Sequence, residues 1–404
     1  MRILSVGNVY PPHHLGGYEV IWRGVTRHLQ AEGHASRVLT TTYRRPDVPL
    51  GAIDDPDVHR DLDWYWRDHA WRRLTPLQRL ALERRNARLF DRHLVDFGPD
   101  VIAWWPMGGM SLGLLERARR AGVPAVLFIL DPWPSYGPQR DGWIRMWRGL
   151  GPLRALGERW TGLPTQLDLP RAGRWVFCSA SMRDQTLAAG LRPTDCTILT
   201  PGVESRYLAI EPDREPVPWR WRLLYIGRVV EQKGVNTAIE CLPRLPEEAT
   251  LTIVGPGDEP YRRQLEALAD RLGVRPRVSF EPPRPSEELP EIYHGADAVL
   301  HPVRWAEPWG LVPLEAMALG RPVIATGRGG SAEYLINGRN ALLFEAGDAA
   351  ALARCVARLA QEPELRERLR VEGRRTAERH SEHDFNRRAV SELEAARSTP
   401  RSHC

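Results

Sequence analysis

Short apolar tracts alternate along this chain with longer stretches whose apolar residues recur every three or four positions. In the first half the tracts lie at residues 2–7, 37–41, 100–105, 124–130 and 174–179; in the second they lie at 221–227, 250–255, 277–280, 298–301 and 322–326. Each is too short for a helix and predicts a strand, while the stretches between them carry helical spacing. Strand–helix alternation of this kind predicts α/β architecture, with parallel sheets covered on both faces. Both halves open alike. Residues 2–7 run into a loop ending at Gly16-Gly17 and then a helical pattern through Leu29, and residues 221–227 run into the Lys233-Gly234 loop and a helix to about Leu242.

A proline- and acid-rich stretch at 207–219, with Pro212, Pro216, Pro218, Glu211, Asp213 and Glu215, separates the halves. The chain therefore predicts two doubly wound, Rossmann-like domains, 1–206 and 220–380, joined by that linker. Their sheets' carboxyl ends would face across a cleft where ligands bind. A last helix, 381–397, is expected to cross back to the first domain. Two stretches break the pattern: 54–92, rich in Trp and Arg, and 132–172, with Pro, Gly, Trp133, Trp143, Trp147 and Trp160. Aromatic–Arg surfaces suit sugars and amphipathic acceptors, although Trp also caps cores.

Composition narrows the class. The 404 residues, 42% hydrophobic and 26% charged, describe an ordinary globular protein with no run approaching a membrane span. The first residues enter a strand at once, so no signal peptide is expected. Five cysteines, unclustered and without CxxC, read as reduced cytosolic thiols. Residues 1–200 carry 27 Arg against 20 Asp plus Glu, a net of +7; the remainder carries 29 basic against 31 acidic residues, a net of −2. A basic first half suits an anionic partner, either an acidic acceptor or a lipid headgroup surface at the inner membrane face, or is simply a well-solvated arginine-rich surface. No nucleic-acid signature accompanies it.

Of 56 basic residues, one is lysine, Lys233. In so arginine-rich a chain, a retained lysine either survives by chance or marks a place that needs a compact charge on a flexible stem, and phosphate binding is the commonest such need. It follows a strand and a glycine, with Arg228 across the same turn, where an open α/β sheet binds phosphate. Further on, Glu307 precedes and Glu315 lies within a helix predicted to open near Trp309 or Gly310. The carboxylates are about 10 Å apart along the chain path, so they suit two parts of one elongated ligand rather than a shared proton. The amides of Trp309, Gly310 and Leu311 between them form an expected anion site.

With Gly16-Gly17, Gly227-Arg228, Lys233-Gly234, the Glu307-x7-Glu315 pair, 321–326 and 329–333, the sequence resembles the retaining GT-B glycosyltransferases of family four over nearly its whole length. The resemblance implies a nucleotide-sugar donor: Arg228 and Lys233 on the diphosphate, Glu315 on the ribose, Glu307 on the sugar hydroxyls, and Gly17 backbone near the phosphates. Asp61-Leu62-Asp63 has the spacing of a metal-binding pair but sits in the Trp/Arg stretch. The expected enzyme is therefore a metal-independent hexosyltransferase without cofactor, in which built-in cations stabilise the leaving diphosphate.

One family feature is missing. Relatives often carry a His after the fourth strand of the first domain; here that position is Leu130, followed by Asp131. Three readings stand: Asp131 does the polar work, His13 or His14 compensates, or the departing phosphate takes the acceptor proton and no protein base is needed. The catalytic residues expected are Glu307, Asp131, Arg228 and Lys233; Gly16, Gly17, Arg228, Lys233, Glu307, Trp309, Gly310, Leu311 and Glu315 bind donor; no metal ligand is assigned. The acceptor is a saccharide, a lipid-linked group or a secondary metabolite. The enzyme is expected in the cytoplasm or at the inner membrane face. A non-catalytic nucleotide-sugar binder and a sugar-nucleotide epimerase are the alternatives.

Overall fold

The computed structural model describes residues 1–46, 48, 55–67, 70–212 and 218–398. The expected linker residues Asp213, Glu215 and Pro216, and the tail beyond Ser398, lie outside them. The chain divides into two compact units, Met1–Leu199 with Phe385–Cys404, and Thr200–Asp384.

The first unit holds a seven-stranded sheet of β1 (Arg2–Val6), β2 (Ala35–Thr41), β3 (Val58–Leu62), β4 (Val101–Trp104), β5 (Ala125–Ile129), β6 (Arg174–Phe177) and β7 (Cys196–Ile198). Its spatial order is β3-β2-β1-β4-β5-β6-β7, and every pairing is parallel. The second unit holds β8 (Arg222–Ile226), β9 (Thr250–Val254), β10 (Val278–Glu281), β11 (Ala298–His301), β12 (Val323–Ala325) and β13 (Leu342–Leu343), ordered β10-β9-β8-β11-β12-β13, again all parallel. In both sheets the strand order reverses beside the first strand of the unit. The crevice at that reversal is where doubly wound sheets bind ligands.

The central strands form because their side chains are buried on both faces: Ile3, Leu4, Val6, Ile102 and Leu127 in one sheet, and Leu224, Val254, Val299 and Ile324 in the other, are all sealed from solvent. Beneath the first loop, Trp22 and Trp105 stack at 5.9 Å and Trp105 and Phe128 at 4.3 Å. This aromatic column seats helix Gly17–Ala31 against the sheet. The Trp-rich stretches are partly core: Trp64, Trp133 and Trp143 are buried, Trp66, Trp71 and Trp147 are half-buried, and Trp160 is 77% exposed.

Candidate functional site

The chemistry of the second unit gathers at the carboxyl ends of β8 and β11, on the two sides of the strand-order reversal. β8 leads through Gly227 and Arg228 into a single 3₁₀ turn, Glu231–Lys233, that stops at Gly234. Gly234 has φ +68°, and a Cβ there would sit 2.0 Å from the Pro302 carbonyl oxygen. Only glycine lets this loop lie against the segment after β11. That approach delivers Lys233 Nζ to Glu307 Oε2, 2.7 Å away and 74 residues distant in sequence.

Glu307 is 3% exposed, and its other carboxylate oxygen takes a short hydrogen bond from His301 Nε2 at the end of β11. Burial alone raises a carboxyl pKa. Here the charges of His301 and Lys233, with the hydrogen bonds both donate, outweigh it and hold Glu307 at about 2. The carboxylate is thus ionised throughout the working range, with the Lys233 ammonium on one oxygen and the His301 imidazole on the other. Its backbone is pinned too: Gly330 N–H donates to the Glu307 carbonyl at 2.8 Å. A Cβ on Gly310, at φ +91°, would meet Glu307 Oε1 at 2.5 Å.

The helix expected to open at Trp309 or Gly310 begins later, as Val312–Ala318, with Leu311 as its cap. Glu307 bridges to Gly329, and Gly310 has φ +91°, outside the helical range, so residues 307–311 form a loop. The amides of Trp309, Gly310 and Leu311 accordingly precede the helix, and they donate no hydrogen bond to a described residue. The Trp309 ring itself is buried, packed on Tyr334 at 5.0 Å and His380 at 5.3 Å. Glu315 is half-buried within the helix and accepts from the Tyr293 hydroxyl at 2.6 Å. Burial, only partly offset by that bond, pushes its carboxyl up to about 7. Arg228 is exposed, and its guanidinium forms no ion pair with a described residue.

In the first unit, Gly16 caps helix Gly17–Ala31, and its N–H donates to Glu19 Oε2 at 2.9 Å. Its backbone is extended, and a Cβ there would find its nearest neighbour 3.9 Å away, so neither strain nor local packing demands glycine. Asp131, at the end of β5, accepts from Tyr136 O–H at 3.3 Å and Trp133 N–H at 3.4 Å. Glu19 is buried and raised to about 7 by desolvation, with Asp131 adding repulsion against its own backbone hydrogen bonds. Leu130 is buried. His13 is buried with its Nδ1 accepting from Arg45 N–H at 3.2 Å, and His14 Nδ1 lies 3.1 Å from the Pro12 carbonyl oxygen. Asp63 of the Asp-x-Asp spacing is ion-paired with Arg85 at 2.9 Å.

Sequence reasoning missed His301, Tyr293 and Glu19. His301 carries one available signal, a histidine closing an apolar strand six residues before Glu307. Tyr293 and Glu19 carry none, since helical positions look alike until tertiary packing chooses their partners.

Solved structures share this fold across almost the whole chain. Sucrose-phosphate synthase from Thermosynechococcus elongatus aligns with TM-score 0.74 at 20% identity, covering 98% of this chain and 99% of that one. The Anabaena protein HepE, solved in complex with UDP-glucose, aligns with TM-score 0.71 at 18% identity, covering 98% and 100%. The architecture is GT-B, two Rossmann-like units. The family descriptions "Glycosyl transferases group 1" and "Glycosyltransferase Family 4" match residues 211–376 and 15–207. A GDP-mannose-dependent alpha-(1-6)-phosphatidylinositol monomannoside mannosyltransferase of Mycolicibacterium smegmatis is 32% identical over 311 residues, 72% of this chain and 74% of that protein. A glycogen synthase of Mycobacterium tuberculosis is 28% identical over 403 residues, 91% and 88%. The chain belongs to the group 1 glycosyltransferases of GT-B fold, and it is a glycosyltransferase.

Proposed function

We propose that this protein is a retaining, metal-independent hexosyltransferase that binds a nucleoside-diphosphate sugar in its second unit. The observation that carries the reading is the Lys233–Glu307–His301 cluster around the buried Glu307 carboxylate at the strand-order reversal. Lys233 and Arg228 hold the diphosphate, joined by the undonated amides of Trp309, Gly310 and Leu311. Glu315 accepts from the ribose hydroxyls and Glu307 from the sugar hydroxyls. Gly16 and Gly17 lend backbone to the phosphates, which accounts for a glycine that local packing does not require. These fixed cations supply the charge stabilisation that a bound metal provides elsewhere.

In the reaction, the bond from the anomeric carbon to the phosphate oxygen breaks and its electron pair leaves with the nucleoside diphosphate. The acceptor hydroxyl attacks from the same face, and its proton passes to the departing phosphate or to Asp131. The acceptor is a saccharide, a lipid-linked group or a small metabolite. A nucleotide donor is supported by two relatives: one is named for its dependence on GDP-mannose, and HepE is solved with UDP-glucose. A thermal-shift screen of UDP-, GDP-, ADP- and dTDP-sugars tests the donor. The true donor at 100 times its Kd stabilises by about 2.7 kcal/mol. NMR of the product then reads the anomeric configuration. No stabilisation by any donor, or an inverted product, would overturn the corresponding part.

Contact with an anionic membrane surface rests on a separate observation. Leu150, Leu153, Leu156 and Trp160 are 42%, 55%, 62% and 77% exposed, on and just before helix Leu153–Thr161. Exposed Arg145, Arg148 and Arg159 accompany them. Apolar residues flanked by arginine fit the headgroup boundary. No helix among the described residues is long and apolar enough to cross a membrane. Cosedimentation with phosphatidylserine vesicles, lost in Leu156→Ser/Trp160→Ser, is the expected result. Equal sedimentation of the double variant speaks against it.

A further inference from the structure

A second constellation lies in the first unit, on residues the sugar-transfer reading does not use. β3 is the edge strand of its sheet, paired only with β2. His59 and Asp61 are two residues apart on it and therefore share one face. Helix Pro76–Phe97 packs against this strand and brings His93 from its last turns to the same face. His93 Nε2 lies 3.7 Å from Asp61 Oδ2, and His59 Nδ1 lies 3.9 Å from the same oxygen. The two imidazole rings meet edge-on with centroids 4.7 Å apart. One donor atom from each of the three residues falls within 4.8 Å of the others.

The hydrogen bonding around this triad decides what it can hold. His59 Nε2 is 2.7 Å from Asp57 Oδ1, and Asp57 also accepts from Arg37 Nε at 2.9 Å. A carboxylate already engaged by a guanidinium can only accept, so His59 donates through Nε2, and in its neutral form Nδ1 is the nitrogen left with a lone pair on the Asp61 side. The contacts to Asp61 at 3.7 and 3.9 Å are too long for hydrogen bonds. Nδ1 of His59 and the Asp61 carboxylate therefore face each other beside His93 with no short hydrogen-bond donor among the described residues. A carboxylate that orients an imidazole through its far nitrogen is also the usual outer support of a metal-ligating histidine.

We propose that His59 Nδ1, Asp61 and His93 Nε2 bind one divalent transition-metal ion of the Zn²⁺ type, with Asp57 orienting His59. Two imidazoles and one carboxylate favour zinc, cobalt, nickel or copper over magnesium or calcium, which prefer oxygen ligands. A tetrahedral ion with bonds of about 2.0–2.1 Å holds its donors roughly 3.3 Å apart. The donor atoms begin wider than that, within 4.8 Å of one another. His59 and Asp61 are 35% and 44% exposed and have room to close, whereas His93 is buried and fixed. The fourth position opens to solvent. The ion ties edge strand β3 to helix Pro76–Phe97, so its effect is on the stability of this edge rather than on sugar transfer.

The test uses the full chain, stripped with chelator and dialysed, then titrated with Zn²⁺ by calorimetry and with Co²⁺ by visible absorption. One equivalent should bind, with a tetrahedral Co²⁺ spectrum lacking thiolate charge transfer, and melting temperature should rise. Asp61→Asn and His59→Gln should each weaken binding at least about 10-fold, and Asp57→Asn by about 10- to 100-fold. Asp61 is exposed enough that Asp61→Asn should fold normally, which circular dichroism and retained nucleotide-sugar binding verify. Absence of Zn²⁺ binding overturns the proposal. So does unchanged affinity in Asp61→Asn and His59→Gln, or a thiolate spectrum that places the ion on cysteine.

Discussion

Lys233 Nζ and Glu307 Oε2 stand 2.7 Å apart, so the only lysine of the chain is tied to a buried carboxylate before any ligand arrives. The pair orients the ammonium while leaving it partly accessible, at 18% exposure. Bound diphosphate therefore meets a cation already held in place, and little side-chain entropy remains to be lost. Lys233→Ala should weaken nucleoside-diphosphate binding on the order of 100-fold, about 2.7 kcal/mol. The fold should persist, since His301 still hydrogen-bonds the other oxygen of Glu307. Lys233→Arg should fall between, because a planar fork does not replace a point charge in a tight turn. Calorimetry decides; unchanged affinity in Lys233→Ala would remove the lysine from the donor site.

Glu307 should also mark the acid limb of stability. Its folded pKa, about 2, lies below the unfolded value of about 4.3. The stabilisation is therefore complete above the unfolded value and is lost as pH falls through about 2. Melting curves of wild type and Glu307→Gln between pH 7 and 2 should converge towards the acid end. Parallel curves would mean that the carboxylate is not held by its cations in solution.

Glu315 runs the opposite way. Its folded pKa is raised to about 7, so it favours the fold below the unfolded pKa, and that contribution disappears as pH rises through about 7. Ribose hydroxyls need the ionised form as acceptor. Donor affinity should accordingly improve up to about 10-fold per unit between pH 5.5 and 7, then level off. The intact nucleotide sugar is the proper probe, because its diester diphosphate does not titrate there. Glu315→Gln should bind weakly and without this pH dependence. A flat wild-type profile would contradict the assignment.

Asp131 is the test of proton handling. If it receives the acceptor proton, Asp131→Asn should lower kcat by about 100-fold or more with donor Kd nearly unchanged. Tyr136 and the Trp133 amide can still hold the amide side chain in place, so geometry survives. A fully active Asp131→Asn enzyme would leave the departing phosphate as proton acceptor, and Leu130→His would then be the variant expected to raise activity.

Metal removal separates two proposals. Chelation with EDTA should leave kcat within about twofold, since Arg228 and Lys233 are part of the chain, yet lower the melting temperature if the His59–Asp61–His93 site holds zinc. Turnover restored only by added Mg²⁺ or Mn²⁺ would overturn the metal-independent reading while leaving the zinc site to its own titration.

The central strands and the loops after them were legible because burial on both faces forces continuous apolar runs, as at 124–130 and 298–301. Three of the four edge strands of the two parallel sheets were not: Val58–Leu62 includes His59, Arg60 and Asp61, Cys196–Ile198 is three residues long and Leu342–Leu343 two, so none carries that pattern, whereas the edge strand Val278–Glu281 was readable at 277–280. The glycine–lysine loop and both glutamates were likewise readable as residue types at a sheet's carboxyl end. What each glutamate touches was decided by the fold alone. His301 ends one strand and Lys233 a turn beyond another; only their parallel neighbours in the sheet bring both to Glu307. The helix near Glu315 starts late because Gly310 takes φ +91° beside the buried Glu307 carboxylate, a placement no local propensity encodes. Local sequence determined which segments are strands and where charge is retained. Tertiary packing decided which charges meet, because ion pairs and desolvation depend on through-space distance, which residue order along the chain does not contain.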